Sequence, residues 1–452
     1  MPTKKRLMKL TAFCHPPGHW RMPGAKPTDM DFEEVAHIAH VAERGLFDML
    51  FFQDSAAVAP AYYLSGGNAE ALAEAARCVR LEPLTLLAAL ATVTKRIGLI
   101  ATATTTYNDP FNIARKYATI DHISKGRAGW NLVTSQNVDE ALNFSQTAHM
   151  DHALRYERAQ EFYDVVTGLW DSWEDDAVIR DRDSGRYIDP DKLHALHHQG
   201  KHFSVRGPLN VARPPQGYPI VAQAGSSEPG RALAARTADV VFTAQVSLKE
   251  AQAFYADVKG RTALYGRVPD DIRIMPGIRY VLGATDAQAR ESYDMMLAEA
   301  SEAGALASVQ RLAGDLDLRQ FPLDGPLPDL PPSNAARERQ KLMIELARRE
   351  NLSIRELGRR FTFSLGHLVY VGTAMGLADL MEEWWANDAA DGFTMLPPYF
   401  PEPLEALVET LIPELQRRGV FRTAYEGATL RENLELRRPE NRYVRDRKGK
   451  SW

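Results

Sequence analysis

Short, continuous apolar runs alternate with amphipathic segments along almost the whole chain. The runs are LMKLTAFC (7–14), FDMLFFQ (47–53), IGLIATA (97–103), RAGWNLV (127–133), PIVAQAG (219–225), DVVFTA (239–244), IMPGIRYVLG (274–283) and DGFTMLP (391–397). Each has the length of a strand, and each is apolar at successive positions instead of every second one. A parallel sheet covered on both faces requires that pattern. Between the runs, segments such as FEEVAHIAHVAERG, FNIARKYATIDHIS, HALRYERAQEFYDVVTGLW and DAQARESYDMMLAEAS repeat apolar residues three and four apart, the spacing of a helix with one buried stripe. Strand then helix, eight times over, predicts an α/β fold of the closed (β/α)8 TIM-barrel type. An open doubly wound sheet is built from the same units, but no G-x-G-x-x-G follows the first strand.

Two stretches break the repeat. Residues 171–218 are polar and turn-rich and contain a short FSV strand, and residues 301–372 contain the Pro-rich PLDGPLPDLPPS and further helical patterns. In a barrel, such insertions belong over the C-terminal face, where the second is the candidate for a closing lid. The last helical segment, PLEALVETLIPELQRRG, is followed by a charged C-terminal arm at about 420–452, which reads either as a wrap around another subunit or as a solvated tail. All of this fits one domain spanning residues 1–452.

Composition narrows the picture by exclusion. A chain of 452 residues, 45% hydrophobic and 25% charged, is ordinary globular protein. Its net charge of -5 leaves no electrostatic footprint for nucleic acid or an anionic membrane, so a small molecule is the expected partner. No apolar run approaches about 18 residues, and MPTKKRLMKL is followed by polar and proline residues before an apolar core can build, so a cytoplasmic enzyme is expected. Cys14 and Cys78, the two cysteines, are too few for a disulfide framework. The run HALHHQGKH (194–202) lacks the cysteine or carboxylate pattern of a zinc site, and no metal is expected.

The chemistry sits at the strand ends, where a barrel keeps it. FFQ runs into Asp54-Ser55; the third run ends in Thr102, Thr104, Thr105 and Thr106; GWNLVTS supplies Asn131, Thr134 and Ser135; IVAQAG ends in Ser226-Ser227. A buried amide or hydroxyl without a partner costs about 1–3 kcal/mol, so groups of this kind on four strands together imply a shared polar ligand in the barrel mouth. In AGSSEPG (224–230), a glycine turn, a serine cap and Pro229 open a helix, a place suited to a phosphate or to a plain cap. His152 and Tyr156, four apart at a helix start, share one face and can both bond a phosphate or a heterocycle.

These residues lie inside longer blocks with a family likeness. The segments AERGLFDMLFFQD, TTTYNDPFNIARKYATIDHISKGRAGWNLVTS, NFSQTAHMDHALRYERAQEFYDVVTGLWDSWEDDAVIRD, HHQGKHFSVRGPLN, QAGSSEPG and IPELQRRG resemble the bacterial luciferase-like flavin monooxygenases, in particular the subgroup of nitrilotriacetate, EDTA, dibenzothiophene-sulfone and long-chain alkane monooxygenases. The resemblance implies FMN in the mouth, with Asp54, Thr102, Ser135, Tyr156 and Ser227 at flavin-contacting positions and Asn131, His152 and Ser226 beside them. It places the phosphate at Ser226, Ser227 and Tyr156, and the isoalloxazine over Asp54, Thr102 and Asn131.

The implied chemistry is two-component. A separate NAD(P)H:flavin reductase supplies FMNH2, which reacts with O2; a flavin peroxide passes one oxygen atom to a small organic substrate and the other leaves as water. Two alternatives stay open: a flavin-binding protein without oxygenase activity, and a deazaflavin-dependent oxidoreductase of the same superfamily. Relatives imply a homodimer or homotetramer. Gln136 stands where the alkane-oxidising relative has a histidine, so no histidine acid or base carries over, and CHPPGHWRMPGAKP is shorter around GHW than in many relatives. The catalytic residues are not assigned; His15, His19, Tyr62, Tyr63 and His367 are candidates to line the pocket.

Overall fold

The computed structural model describes residues 6–14, 19–58, 73, 78–135, 137, 139–310, 312–313, 316–331 and 337–449. The strands are β1 (Lys9–Cys14), β2 (Met49–Phe52), β3 (Gly98–Thr104), β4 (Ala128–Val133), β5 (His198–Gln199), β6 (Ser204–Val205), β7 (Ile220–Gln223), β8 (Val240–Thr243), β9 (Arg273–Leu282), β10 (Leu368–Gly372) and β11 (Gly392–Leu396). The main sheet runs β10-β9-β11-β1-β2-β3-β4-β7-β8, and β8 pairs back onto β9. Every pairing in it is parallel. With β10 set aside, eight strands close on themselves as a (β/α)8 barrel, and each of the eight apolar runs coincides with one of them, β3 and β9 each extending one residue past its run.

β10 lies within the 301–372 insertion, where the sequence reading placed only helical patterns. It pairs with Ile278–Leu282, the upper half of β9, while the lower half of β9 pairs with β8. β9 is ten residues long because it serves both partners. The 171–218 insertion carries the antiparallel β5–β6 hairpin, which includes the predicted FSV strand in part.

The helices over the barrel are α1 (Phe32–Arg44), α2 (Pro83–Val93), α3 (Pro110–Ile123), α4 (Glu140–Asn143), α5 (His152–Trp170), α6 (Glu228–Thr237), α7 (Leu248–Arg261) and α8 (Asp286–Glu299). Then come α9 (Glu302–Gln310), α10 (Arg337–Glu350) and α11 (Ile354–Ser364) of the insertion, followed by α12 (Ala374–Ala386), α13 (Glu402–Arg417), α14 (Leu430–Asn433) and α15 (Arg442–Gly449). Their starts are chemically marked: Asp109, Asp151 and Ser227 cap α3, α5 and α6 through their side chains. The insertion helices share a core of their own, with Val309, Leu312, Leu318, Met343, Leu357 and Phe361 in one cluster.

Side-chain parity in the strands sorts the two faces. On β4, Trp130 points outward between α3 and α5, its ring 6.0 Å from Tyr117 and 5.8 Å from Phe162, so Asn131 points into the barrel. The same alternation sends Thr102 inward on β3, Phe13 on β1, Phe51 on β2 and Phe242 on β8. The three phenyl rings stand 5.2–5.8 Å apart, an aromatic floor under one half of the mouth.

The C-terminal arm is neither a solvated tail nor free to wrap a neighbour along its first half. Leu430, Leu434 and Leu436 join Met49, Ile100, Ile220 and Val240 in one buried cluster, closing the N-terminal end of the barrel from below. Arg431 grips both carboxylate oxygens of Asp239 at 3.0 and 2.9 Å, Arg422 pairs with Asp48, and Lys9 Nζ reaches Asn433 O at 3.1 Å. The charges that made the arm look solvated are its attachment points.

Candidate active site

At the C-terminal ends of β2, β3 and β4, hydrogen bonds run in an ordered chain. Thr102 Oγ1 donates to Phe52 O at 3.0 Å, and Asn131 Nδ2 donates to Thr102 Oγ1 at 2.8 Å. A hydroxyl has one hydrogen; once Thr102 has given it to Phe52, its oxygen can only accept. The amide of Asn131 is thereby oriented. Its Oδ1, buried with the rest of the side chain, has no partner among the described residues.

One turn along, Ser135 adopts a left-handed backbone with φ 57°. Such a conformation costs about 1–3 kcal/mol at a residue other than glycine and needs external support. Two buried ions supply it. Arg155 Nη1 donates to Thr134 O at 3.1 Å and to Ser135 O, and Ser135 Oγ donates 2.6 Å to Glu140 Oε2 while lying 2.7 Å from Thr104 Oγ1. The other oxygen of Glu140 accepts from Ser55 Oγ at 2.8 Å. Glu140 thus ties the end of β4 to the loop after β2. Among the described residues Arg155 Nε is buried without a partner, as is His149 Nε2, whose ring accepts or donates at Nδ1 to Tyr107 OH at 2.5 Å.

Asp54 stands in the same loop, partly exposed. Burial pushes its carboxyl up to about 6 against the pull of Arg80, with Glu82 and Glu140 adding negative charge nearby. It is a carboxylate poised near neutrality.

Beyond β7, Tyr156 OH lies 3.4 Å from Ser227 Oγ, and the His152 ring is 4.9 Å from that of Tyr156. Ser227 Oγ also caps Gly230 N at 3.3 Å. Pro229 has no N–H and Gly230 is capped, so the donors on offer are hydroxyls and the loop N–H groups ahead of Pro229. The space is shaped by two glycines in contact: a Cβ on Gly225 would stand 3.1 Å from Gly230 Cα, so the loop can fold tightly onto the helix start. His152 is exposed; Tyr156, Ser226 and Ser227 are half-buried.

Across the barrel, His367 is buried and stacked on Phe242, with Nδ1 unpartnered among the described residues. His19 is buried beside Phe363, ring centroids 5.3 Å apart. His15, Tyr62, Tyr63 and Gln136 lie outside the described residues. Cys14 faces the outside of the barrel wall, and burial raises its thiol well above the ordinary range. The three histidines of the 194–202 run that stand nearest α5 and the arm are each bonded to a glutamate: His194 to Glu174, His198 to Glu161 and His202 to Glu157. Among the described residues no group of three His, Cys, Asp or Glu side chains is placed to hold a metal ion, and no helix is long and apolar enough to cross a membrane.

Comparison with known proteins adds the chemistry of the class. The luciferase-like monooxygenase family matches residues 8–384. The chain belongs to that family. It is a flavin-dependent monooxygenase, as the sequence resemblance implied. This luciferase-like monooxygenase is 50% identical over 430 residues to nitrilotriacetate monooxygenase component A of Aminobacter aminovorans, covering 94% of each chain. It is 48% identical to N-acetyl-S-(2-succino)cysteine monooxygenase of Bacillus subtilis (strain 168), covering 98% of this chain and 100% of that one. Among solved structures it resembles riboflavin lyase RcaE with modified FMN and riboflavin, at a TM-score of 0.85 and 28% identity, covering 95% of each chain.

Glu140 and Arg155 are the residues the sequence reading passed over in this monooxygenase. Arg155 sits in the same helical turn as His152 and Tyr156, which drew attention because of their spacing; the guanidinium between them is the buried one. Glu140 belongs to a helix of four residues within a loop, and nothing in EALN distinguishes a buried carboxylate from a solvated one.

Proposed function

We propose that this protein is the oxygenase component of a two-component system, binding FMNH2 made by a separate NAD(P)H:flavin reductase and inserting one atom of O2 into a small, carboxylate-bearing organic substrate. The observation that carries the reading is the unpartnered Asn131 Oδ1 at the end of an oriented hydrogen-bond chain. A buried acceptor left open costs about 1–3 kcal/mol unless a ligand N–H meets it, and the flavin ring system offers such groups.

The residues fit the cofactor in other respects. The mouth is apolar on the side of Phe13, Phe51 and Phe242 and polar on the side of Thr102 and Asn131, suiting a flat heterocycle with one hydrogen-bonding edge. Tyr156, Ser226 and Ser227 would hold the phosphate with hydroxyls and loop N–H groups, and the close Gly225–Gly230 approach, which has no room for a Cβ, sets the turn that presents them. Asp54 and Ser135 would border the ring, with Ser135 held in place by Glu140 and Arg155, and His152 at the rim beside Tyr156.

Reduced FMN supplies, when bound, the electrons that split O2 between substrate and water. The protein's part is to orient ring and substrate and to exclude water, which the aromatic floor and a closing 301–372 insertion would do. Two observations support the partner and the substrate class: one relative is named a component A, and the two relatives at 48–50% identity described above are named for molecules with several carboxylates.

The test supplies the protein with a flavin reductase, NADH, FMN and 18O2, offering nitrilotriacetate and N-acetyl-S-(2-succino)cysteine. One labelled oxygen per product, dependent on both proteins, is the expected result; no labelled product from either substrate beyond that formed by the reductase alone overturns the reading.

A further inference from the structure

Thr102 and Asn131 belong to β3 and β4, and the group that faces them comes from outside the strand-helix repeat. Strand order places β9 four positions from β3 around the barrel, which is the opposite wall. At the inward position of β9 stands Gly277. A Cβ there would lie 2.6 Å from His367 Nδ1 and 2.8 Å from a ring carbon of Phe242. The missing side chain is filled by the His367 imidazole, delivered to the barrel from the chain that leaves α11.

The delivery is built into the backbone. Leu365 and Gly366 are both left-handed, with φ of 51° and 81°, and His367 N bonds back to Ser364 O at 2.9 Å. This tight reversal at the end of α11 turns His367 inward just before β10 begins. The ring then stacks on Phe242, centroids 5.0 Å apart and planes 12° apart, and is 5% exposed. A histidine kept only to fill space would have both nitrogens satisfied or be replaced by an apolar ring at lower cost; Nδ1 instead has no partner among the described residues.

We infer that His367 is a substrate-binding residue, its neutral imidazole carrying the proton on Nδ1 and donating it in a hydrogen bond to a carboxylate of the organic substrate from the wall opposite Thr102. The inference rests on the reading of the mouth as the flavin and substrate site. In that reading Asn131 and Tyr156 take the cofactor's polar edges, and His367 is a buried group with an open nitrogen on the far side. Burial, together with the fields of Arg339 and Arg279, keeps the imidazole neutral, and the same two guanidinium groups make this wall favourable to an anion. Because His367 closes the 301–372 insertion, it also links substrate contact to the segment that would cover the mouth.

The test is nitrogen-15 NMR of the full-length protein with labelled histidine, the His367 signals being those missing from His367→Phe, which keeps a ring on Phe242, or from His367→Gln. FMN is added first, then nitrilotriacetate or, on a second sample, N-acetyl-S-(2-succino)cysteine. The expected result is an Nδ1 resonance that moves when at least one carboxylate is added. His367→Phe should bind FMN within about twofold of wild type and that carboxylate at least tenfold more weakly, the loss of one hydrogen bond to a charged group. A resonance unmoved by both carboxylates, or an affinity for them unchanged in His367→Phe, overturns the inference. Failure of the wild-type protein to bind FMN overturns the flavin reading instead.

Discussion

Asn131 Nδ2 lies 2.8 Å from Thr102 Oγ1, and Thr102 has already spent its hydrogen on Phe52 O. The pair therefore fixes which end of the amide faces the mouth: an acceptor. Thr102 acts on a ligand through Asn131. Asn131→Leu should weaken FMN binding by tenfold or more, about 1.4 kcal/mol, without unfolding the barrel. Thr102→Val frees the amide to flip and should give part of that loss, whereas Thr102→Ser retains the hydroxyl and should restore it. Fluorescence titration with FMN measures all three; equal affinities across the set would show that the chain of bonds has no bearing on the ligand.

Glu140 accepts from two serines on different loops, and a glutamine can accept at only one of its two side-chain termini. Glu140→Gln should cost about 1 kcal/mol of stability and Glu140→Ala about 1–3 kcal/mol, because the latter leaves both hydroxyls without their acceptor. Denaturant unfolding gives the stability. The left-handed turn at Ser135 is what Glu140 supports, so FMN affinity should fall in the same order.

Asp54 titrates near 6 in the folded chain against an ordinary 3.8, owing to burial. The folded state then holds a proton that the unfolded state releases between those values. The stability linked to it is present at the acid end and lost as pH rises through about 6. Asp54→Asn should remove on the order of 1–2 kcal/mol of that fall, reduced from the full linkage by partial exposure. Asp121, also pushed up to about 6 by burial, contributes a similar slope in both proteins, so the difference between wild type and variant is the quantity to read.

Leu430 is fully buried beneath the barrel in the cluster that includes Met49 and Ile100. Leu430→Ala should cost about 2–5 kcal/mol, as for a leucine in any well-packed core. A thermal unfolding curve close to that of wild type would show that the arm is only loosely applied.

The barrel was legible because its strands are buried on both faces and carry that burial as unbroken apolar runs, from LMKLTAFC to DGFTMLP. β10 was not, because LVYVG is half-exposed, pairs among the described residues with β9 alone and sits in a stretch dominated by helical spacing. The arm misled for a related reason: three leucines among many arginines look solvated until Asp48 and Asp239 are seen beneath the barrel to receive the charges. At the mouth, strand position singled out Asn131, Thr102 and Ser135, since polar groups at strand ends demand partners. Which partner each has, and which atom is left open, depends on contacts between β2, β3 and β4 that no single segment encodes. Glu140 and Arg155 were hidden for the same reason, being ordinary helix residues until the fold buries them.

The most direct measurement of the central claim is an anaerobic titration of the protein with photoreduced FMN, followed by fluorescence or equilibrium dialysis, which needs no substrate and no reductase. A mouth built to receive FMNH2 should saturate with a dissociation constant in the micromolar range, about -8 kcal/mol, and Asn131→Leu should shift the curve to weaker binding. Binding that does not saturate below about 1 mM, or that is the same in wild type and Asn131→Leu, would contradict it.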